Sequence, residues 1–245
     1  MIIDINCDVG EGVGNENYLL PFISSCNIAC GGHAGDANTI NEVIELAKKY
    51  HVKVGAHPSF PDRENFGRKV INIPPNKLRK SLEDQILLVK ESLMNFDLSM
   101  HHIKVHGALY NLAAIDEKTA QVVVDTVLEC CPEVYLYVPD QSVISKIAKG
   151  RGVQIKYEAF GDRNYNENLT LVSRLHESAL ITQKEEVFSH ILAVLNTGKV
   201  KTITGKEIPL LADTFCIHGD HKNANTLVKY LFDEFKAIKV EVAKS

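Results

Sequence analysis

The sequence predicts an α/β fold, a single-domain (β/α) barrel. Two observations carry this reading. Short apolar runs alternate with amphipathic helical stretches about seven times along 245 residues, and alternating βα units specify a parallel sheet. Most of those runs end in a titratable residue beside Gly or Pro, as in "ACGGHAGD" (29–36), "VGAHPSF" (54–60), "IKVHGALY" (103–110) and "CIHGDH" (216–221). In a closed parallel barrel all strand C-termini meet on one face, where barrel enzymes keep their chemistry. An open nucleotide-binding sheet would carry a GxGxxG loop. "GEGVGN" (10–15) misses that register at Asn15, and Asp8 and Glu11 would repel a phosphate there.

Each element follows from local pattern. Residues 2–8, 26–31, 52–57, 102–107, 134–139, 153–160 and 213–218 are short and apolar, as strands buried on both faces should be. The first helix, 37–51, spaces Ile40, Val43, Ile44 and Ala47 on one face behind a capping Asp36. The next, 74–96, is entered through Pro. Helix 116–131 has Asp116 as its cap, and helix 140–150 stops at Gly150. Thr182 and Glu185 form a capping box for helix 182–198. A β-hairpin insertion lies near 199–211, turning at Thr204–Gly205, and 223–238 is the last helix. The similarity of "TGKE" (204–207) to a phosphate loop is better explained by that turn.

Composition narrows the class. The chain is 45% hydrophobic with a formal net charge of −4, enough for one sizeable core and without general attraction for nucleic acid or anionic membrane. The N-terminus "MIIDINCDVGEG" reads as neither a signal peptide nor a membrane span, so a cytoplasmic location is expected. Six Cys without CxxC spacing read as reduced, mostly small core hydrophobes.

The candidate site is the set of strand-end residues. Asp8 and Glu11 follow the first strand, His33 and Asp36 the second, and His57 the third. His106 ends the fourth, with Lys104 two residues earlier on the same side. Glu158 and Asp162 come with the sixth, His218 and Asp220 with the last. These eleven are the candidate catalytic residues, because crowded carboxylates and imidazoles supply acids and bases near neutral pH. Arg68, Arg163 and Arg174 are candidates for binding a carboxylate or phosphate by a forked contact. The same set would also suit a divalent metal, with Asp8, His57 and His106 as candidate ligands.

Together, "DINCDVGEGVG", "CNIACGGHAGD", "VGAHPSFPDRENFGRK", "IKVHGALYN", "EAFGDRNY", "VSR" and "FCIHGDH" resemble the LamB/YcsF family, in order and over almost the whole chain. The resemblance implies a seven-stranded barrel of the glycoside hydrolase and deacetylase type. It implies the A subunit of a 5-oxoprolinase, which opens 5-oxo-L-proline to L-glutamate with ATP and partner B and C subunits. All fourteen residues fall in the family's motif blocks. The physics is compatible. Phosphorylating the amide oxygen would give an imidate that water attacks readily, given a base, an acid and cations. Two other readings stay open. One is a metal-dependent hydrolase or deacetylase of carbohydrate-like amides. The other is a non-catalytic subunit that binds a small carboxylate. A homo-oligomer is compatible with each.

Overall fold

The computed structural model describes residues 1–221 and 223–244. In chain order the elements are β1 (Ile2–Ile3), β2 (Ile5–Val9), α1 (Glu16–Leu19), β3 (Ser25–Ala29), α2 (Ala37–Tyr50), β4 (Lys53–His57), α3 (Pro75–Met94), β5 (His102–Ile103), α4 (Gly107–Ala113) and α5 (Glu117–Cys130). There follow β6 (Tyr135–Pro139), α6 (Val143–Gly150), β7 (Ile155–Phe160), α7 (Lys184–Thr197), β8 (Lys199–Lys201), β9 (Glu207–Pro209), β10 (Thr214–Ile217), α8 (Ala224–Ala237) and β11 (Glu241–Val242).

Among the described residues seven parallel strands close into a barrel in the order β2, β3, β4, β5, β6, β7, β10, with β10 pairing back onto β2. Alternation explains the layers. In β2 the outward Ile5, Cys7 and Val9 are buried against the helices. The α2 face built from Ile40, Val43, Ile44 and Ala47 is fully covered, as its spacing requires.

The barrel interior is not the aliphatic core that strands buried on both faces would suggest. The inward positions are polar, and they hydrogen-bond to one another. Thr214 Oγ1 donates to Asp4 Oδ1 at 2.7 Å, and Asn6 Nδ2 donates to Thr214 Oγ1 at 2.9 Å. Asn27 Nδ2 donates to Asn6 Oδ1 and to Asp8 Oδ1, both at 2.8 Å. Buried polar groups persist when they satisfy one another.

Several local expectations change. The first strand splits, because β1 leaves the barrel to pair with β11 near the C-terminus. The 102–107 strand pairs only over His102–Ile103, and the chain then turns into the short helix α4, which lacks a clear sequence signal. Helix α6 starts at Val143 under a Ser142 cap rather than at Asp140. The Thr182/Glu185 capping box does not form. α7 starts at Lys184 with Gln183 as its cap residue and without a side-chain bond. The hairpin forms as β8 and β9. All six Cys are free. Among the described residues no helix is long and apolar enough to cross a membrane.

Candidate active site

The strand C-termini converge on one mouth of the barrel, over a cavity of about 1300 Å³. Register decides who meets whom. Asp8 lies beside Asn27 on the next strand, Asn27 beside Gly55, and Gly55 beside His102, one row across four strands.

Lys104 is the centre. Its ammonium donates to Asp8 Oδ1 at 2.9 Å and to Cys216 Sγ at 3.0 Å, and it lies 3.0 Å from Glu158 Oε1. Its side chain is 2% exposed, so this is a desolvated charge held by two carboxylates. Burial opposes its charge, but Asp8 and Glu158 hold the ammonium well above the usual lysine value. Burial likewise opposes ionisation of Asp8, and His57 and Lys104 outweigh it, leaving the carboxyl well below the usual range.

Beside Asp8 lies a histidine cluster. His57 Nδ1 faces the Lys104 carbonyl at 2.7 Å, and His106 Nε2 faces the Phe66 carbonyl at 3.0 Å. A carbonyl only accepts, so both of these nitrogens carry protons. The remaining nitrogens, His57 Nε2 and His106 Nδ1, face each other at 2.9 Å, with Glu11 Oε1 3.5 Å from the latter. Two lone pairs at that distance repel unless a proton or a cation lies between them. His33 stacks on His106 at 3.7 Å, with Nε2 3.0 Å from Glu11, while its buried Nδ1 has no partner. Burial pushes both the His33 and His106 imidazoles down, well down for His106, which favours the neutral form that metals bind.

One ligand atom each from Glu11, His33, His57 and His106 lies within 4.8 Å of the others. His57 and His106 of the set expected from sequence belong to this group, joined by Glu11 and His33. Asp8 lies at its edge, with Oδ1 bound by Lys104 and Asn27 and Oδ2 3.4 Å from His57 Nε2. Carbonyl-oriented imidazoles, neutral nitrogens and one carboxylate fit a divalent ion by the chemistry of the donors.

Just past the end of β10, His218 Nδ1 meets Asp162 Oδ1 at 2.9 Å, and the His218 amide donates to Asp162 Oδ2 at 3.0 Å. Burial alone would raise the Asp162 carboxyl, but His218 brings it down to about 2. Gly219 lets this turn cross the strand ends, since a Cβ there would lie 2.2 Å from the Asp8 carbonyl oxygen. Asp220 does not cap α8. It pairs with Arg68, whose guanidinium also lies over the Phe66 ring.

The remaining sequence candidates have other duties. Asp36 is exposed and caps α2 through the Thr39 amide at 2.9 Å, so it stands apart from the converging set. Arg163 is buried and donates to the Ala179 and Val172 carbonyls at 3.2 and 2.6 Å, clamping the loop over the mouth. Burial, with repulsion from Arg174, lowers its guanidinium to about 10. Arg174 is exposed on the cavity rim. Sequence reasoning passed over Asn27, His102, Cys216 and Tyr110. The polar alternation of "DINCD" and "SCNIA" marks the first of these.

Fold and site together define a (β/α)-barrel enzyme with a lysine–carboxylate centre and a histidine cluster at its carboxyl mouth. The chain belongs to the LamB/YcsF family, whose sequence model matches residues 3–245. It is 38% identical over 243 residues to the 5-oxoprolinase A subunit from Histophilus somni, covering 99% of this chain and 98% of that protein. The crystal structure of a lactam utilization protein from Thermus thermophilus superposes with a TM-score of 0.93 at 34% identity, over 100% of both chains. A beta-1,4-mannanase shares the fold alone, with a TM-score of 0.52 at 11% identity over 95% of this chain and 99% of that one.

Proposed function

We propose that this chain is the A subunit of a 5-oxoprolinase, which hydrolyses the ring amide of 5-oxo-L-proline to give L-glutamate with ATP and separate B and C subunits. The observation that carries the reading is the buried Lys104 between Asp8 and Glu158, opening onto the cavity beside the histidine cluster. A five-membered lactam resists hydrolysis because its amide is planar and unactivated. Its opening needs a cation for the developing oxyanion, a base for water and an acid for the departing nitrogen.

Lys104 supplies the fixed cation. Asp8, oriented by Asn27 and Lys104, is a pre-positioned proton acceptor on the same side. His218, held by Asp162, stands at the end of β10, the strand next to that of Asp8, as the proton donor. Arg174 and Arg68 supply positive charge at the rim for the substrate carboxylate or a phosphoryl group. A divalent ion held by Glu11, His33, His57 and His106 would polarise water beside this centre. His57 and His106 hold their protons outward on carbonyls and keep the inner nitrogens free, while Glu11 orients His33.

The test is glutamate formation from 5-oxo-L-proline and ATP by the chain combined with its B and C subunits. Lys104→Met should abolish it with circular dichroism unchanged. Full activity of that variant, or no turnover by the unaltered complex, overturns the reading. The histidine cluster also favours a second reading, a metal-dependent amidase independent of ATP. Turnover without ATP that chelator abolishes would select it.

A further inference from the structure

We propose that Lys104 and Glu158 form a matched donor–acceptor pair that reads the N–H/C=O edge of a small-ring lactam, so that the site selects cyclic amides with a free N–H. The proposal rests on the cyclic-amide reading above and deepens it. Lys104 Nζ and Glu158 Oε1 are 3.0 Å apart, yet they are out of line for a hydrogen bond. Among the described residues neither carboxylate oxygen of Glu158 meets an aligned hydrogen-bond donor, although its side chain is 0% exposed and both Lys104 and the Tyr110 hydroxyl lie beside it. Two of the three ammonium protons go to Asp8 and Cys216. One proton therefore remains on Lys104 beside an unsatisfied acceptor, and both residues line the cavity. A buried carboxylate whose lone pairs meet no aligned donor is costly even beside its counter-charge, and a ligand that supplies a donor recovers that cost on binding.

The ligand's chemistry follows from the order of these groups. A small-ring lactam is a cis amide, with N–H and C=O side by side on one edge. Lys104 would donate to the carbonyl while Glu158 accepts from the N–H. A secondary trans amide points the two groups in opposite directions and satisfies only one residue. The Tyr110 hydroxyl is buried beside Glu158 on the same wall, and burial and then the Glu158 charge hold it well above the usual tyrosine value. Phe160 completes the wall, its ring 5.2 Å from Lys104 Nζ. When the ring opens, the nitrogen leaves as an amine facing Glu158, which then neutralises the ammonium of the product.

The experiment measures inhibition of 5-oxo-L-proline turnover in the assembled three-subunit enzyme by three analogues. One is the N-methyl lactam, one is the lactone with ring oxygen in place of N–H, and one is N-acetylglycine, a trans amide. 2-Pyrrolidone, a lactam without the carboxylate, is the positive control. Loss of one hydrogen bond to a charged group predicts that the lactone and the N-methyl lactam bind roughly tenfold to a hundredfold more weakly than 5-oxo-L-proline. N-acetylglycine should not compete. Glu158→Gln should shrink the lactam-to-lactone ratio to within about threefold. Analogues that bind as tightly as the lactam overturn the proposal while leaving the function intact. A complex that neither turns over nor binds 5-oxo-L-proline overturns both. The analogue series on the unaltered protein stands even if Glu158→Gln fails to fold.

Discussion

Gly55 and His102 occupy one space. A Cβ on Gly55 would lie 2.3 Å from His102 Nε2, so the imidazole fills the volume that a side chain on the neighbouring strand would take. From there Nε2 meets Asn27 Oδ1 at 2.6 Å, and the ring stacks on Tyr137 at 4.0 Å. An amide oxygen only accepts, so His102 is the donor, and this fixes Asn27 with its NH₂ turned toward Asp8. The tilt of the Asp8 carboxylate thus depends on a missing methyl group two strands along the same row. Gly55→Ala should cost about 1–3 kcal/mol in chemical denaturation, the range for overpacking a tight interior. It should also reduce turnover by displacing Asn27. An unchanged midpoint with full activity would show that the ring relaxes freely.

Removing the central cation should cost more than removing a surface ion pair. Lys104→Met leaves Asp8 and Glu158 buried without their common counter-charge, at about 3–5 kcal/mol. Adding Asp8→Asn to that variant should restore part of the stability and none of the activity. Urea titrations of the single and double variants decide this. A single variant as stable as the unaltered protein would contradict the buried-pair assignment.

The histidine cluster makes a prediction that does not need turnover. The purified chain should take up one equivalent of a divalent transition ion in calorimetry, and His57→Ala or Glu11→Ala should weaken uptake at least tenfold. Asp36→Ala, remote from the cluster, should leave uptake unchanged while loosening the start of α2 by about 1 kcal/mol. Equal affinity in all variants would rule out the cluster as the binding site.

Acid stability should report the Asp162–His218 pair. The Asp162 carboxyl sits at about 2 against an ordinary 3.8. Its stabilisation is therefore complete above about pH 4 and lost as pH falls through about 2. The gap corresponds to about 2 kcal/mol. Asp162→Asn should lower stability at neutral pH by roughly that amount and flatten the curve below pH 4. The same acid slope in the variant would place the titration elsewhere.

Arg163 should act through the loop it clamps. Arg163→Ala frees the Val172 and Ala179 carbonyls and should speed proteolytic cleavage between residues 164 and 180. KM should rise more than kcat falls, since the loop carries Arg174 to the rim. A pure loss of kcat would instead place Arg163 at the reacting atoms.

The periodicity of the chain was enough to read the barrel and its polar mouth. Strand and helix differ in period, and a parallel closed sheet puts every strand C-terminus on one face. That much is local pattern plus topology, and it named His33, His57, Lys104, His106 and Glu158 among the residues that converge. Which donor meets which acceptor was not legible. It depends on the row that sets Asp8 beside Asn27 and His102 across Gly55, a relation between residues up to 94 positions apart. Asp36 and Glu11 look alike in sequence, each an acidic residue just past a strand. Folding turns the first outward to cap a helix and the second inward to the imidazoles. Strand-end chemistry is written in residue type and spacing, whereas the division of labour among those residues depends on contacts that exist only once the barrel closes.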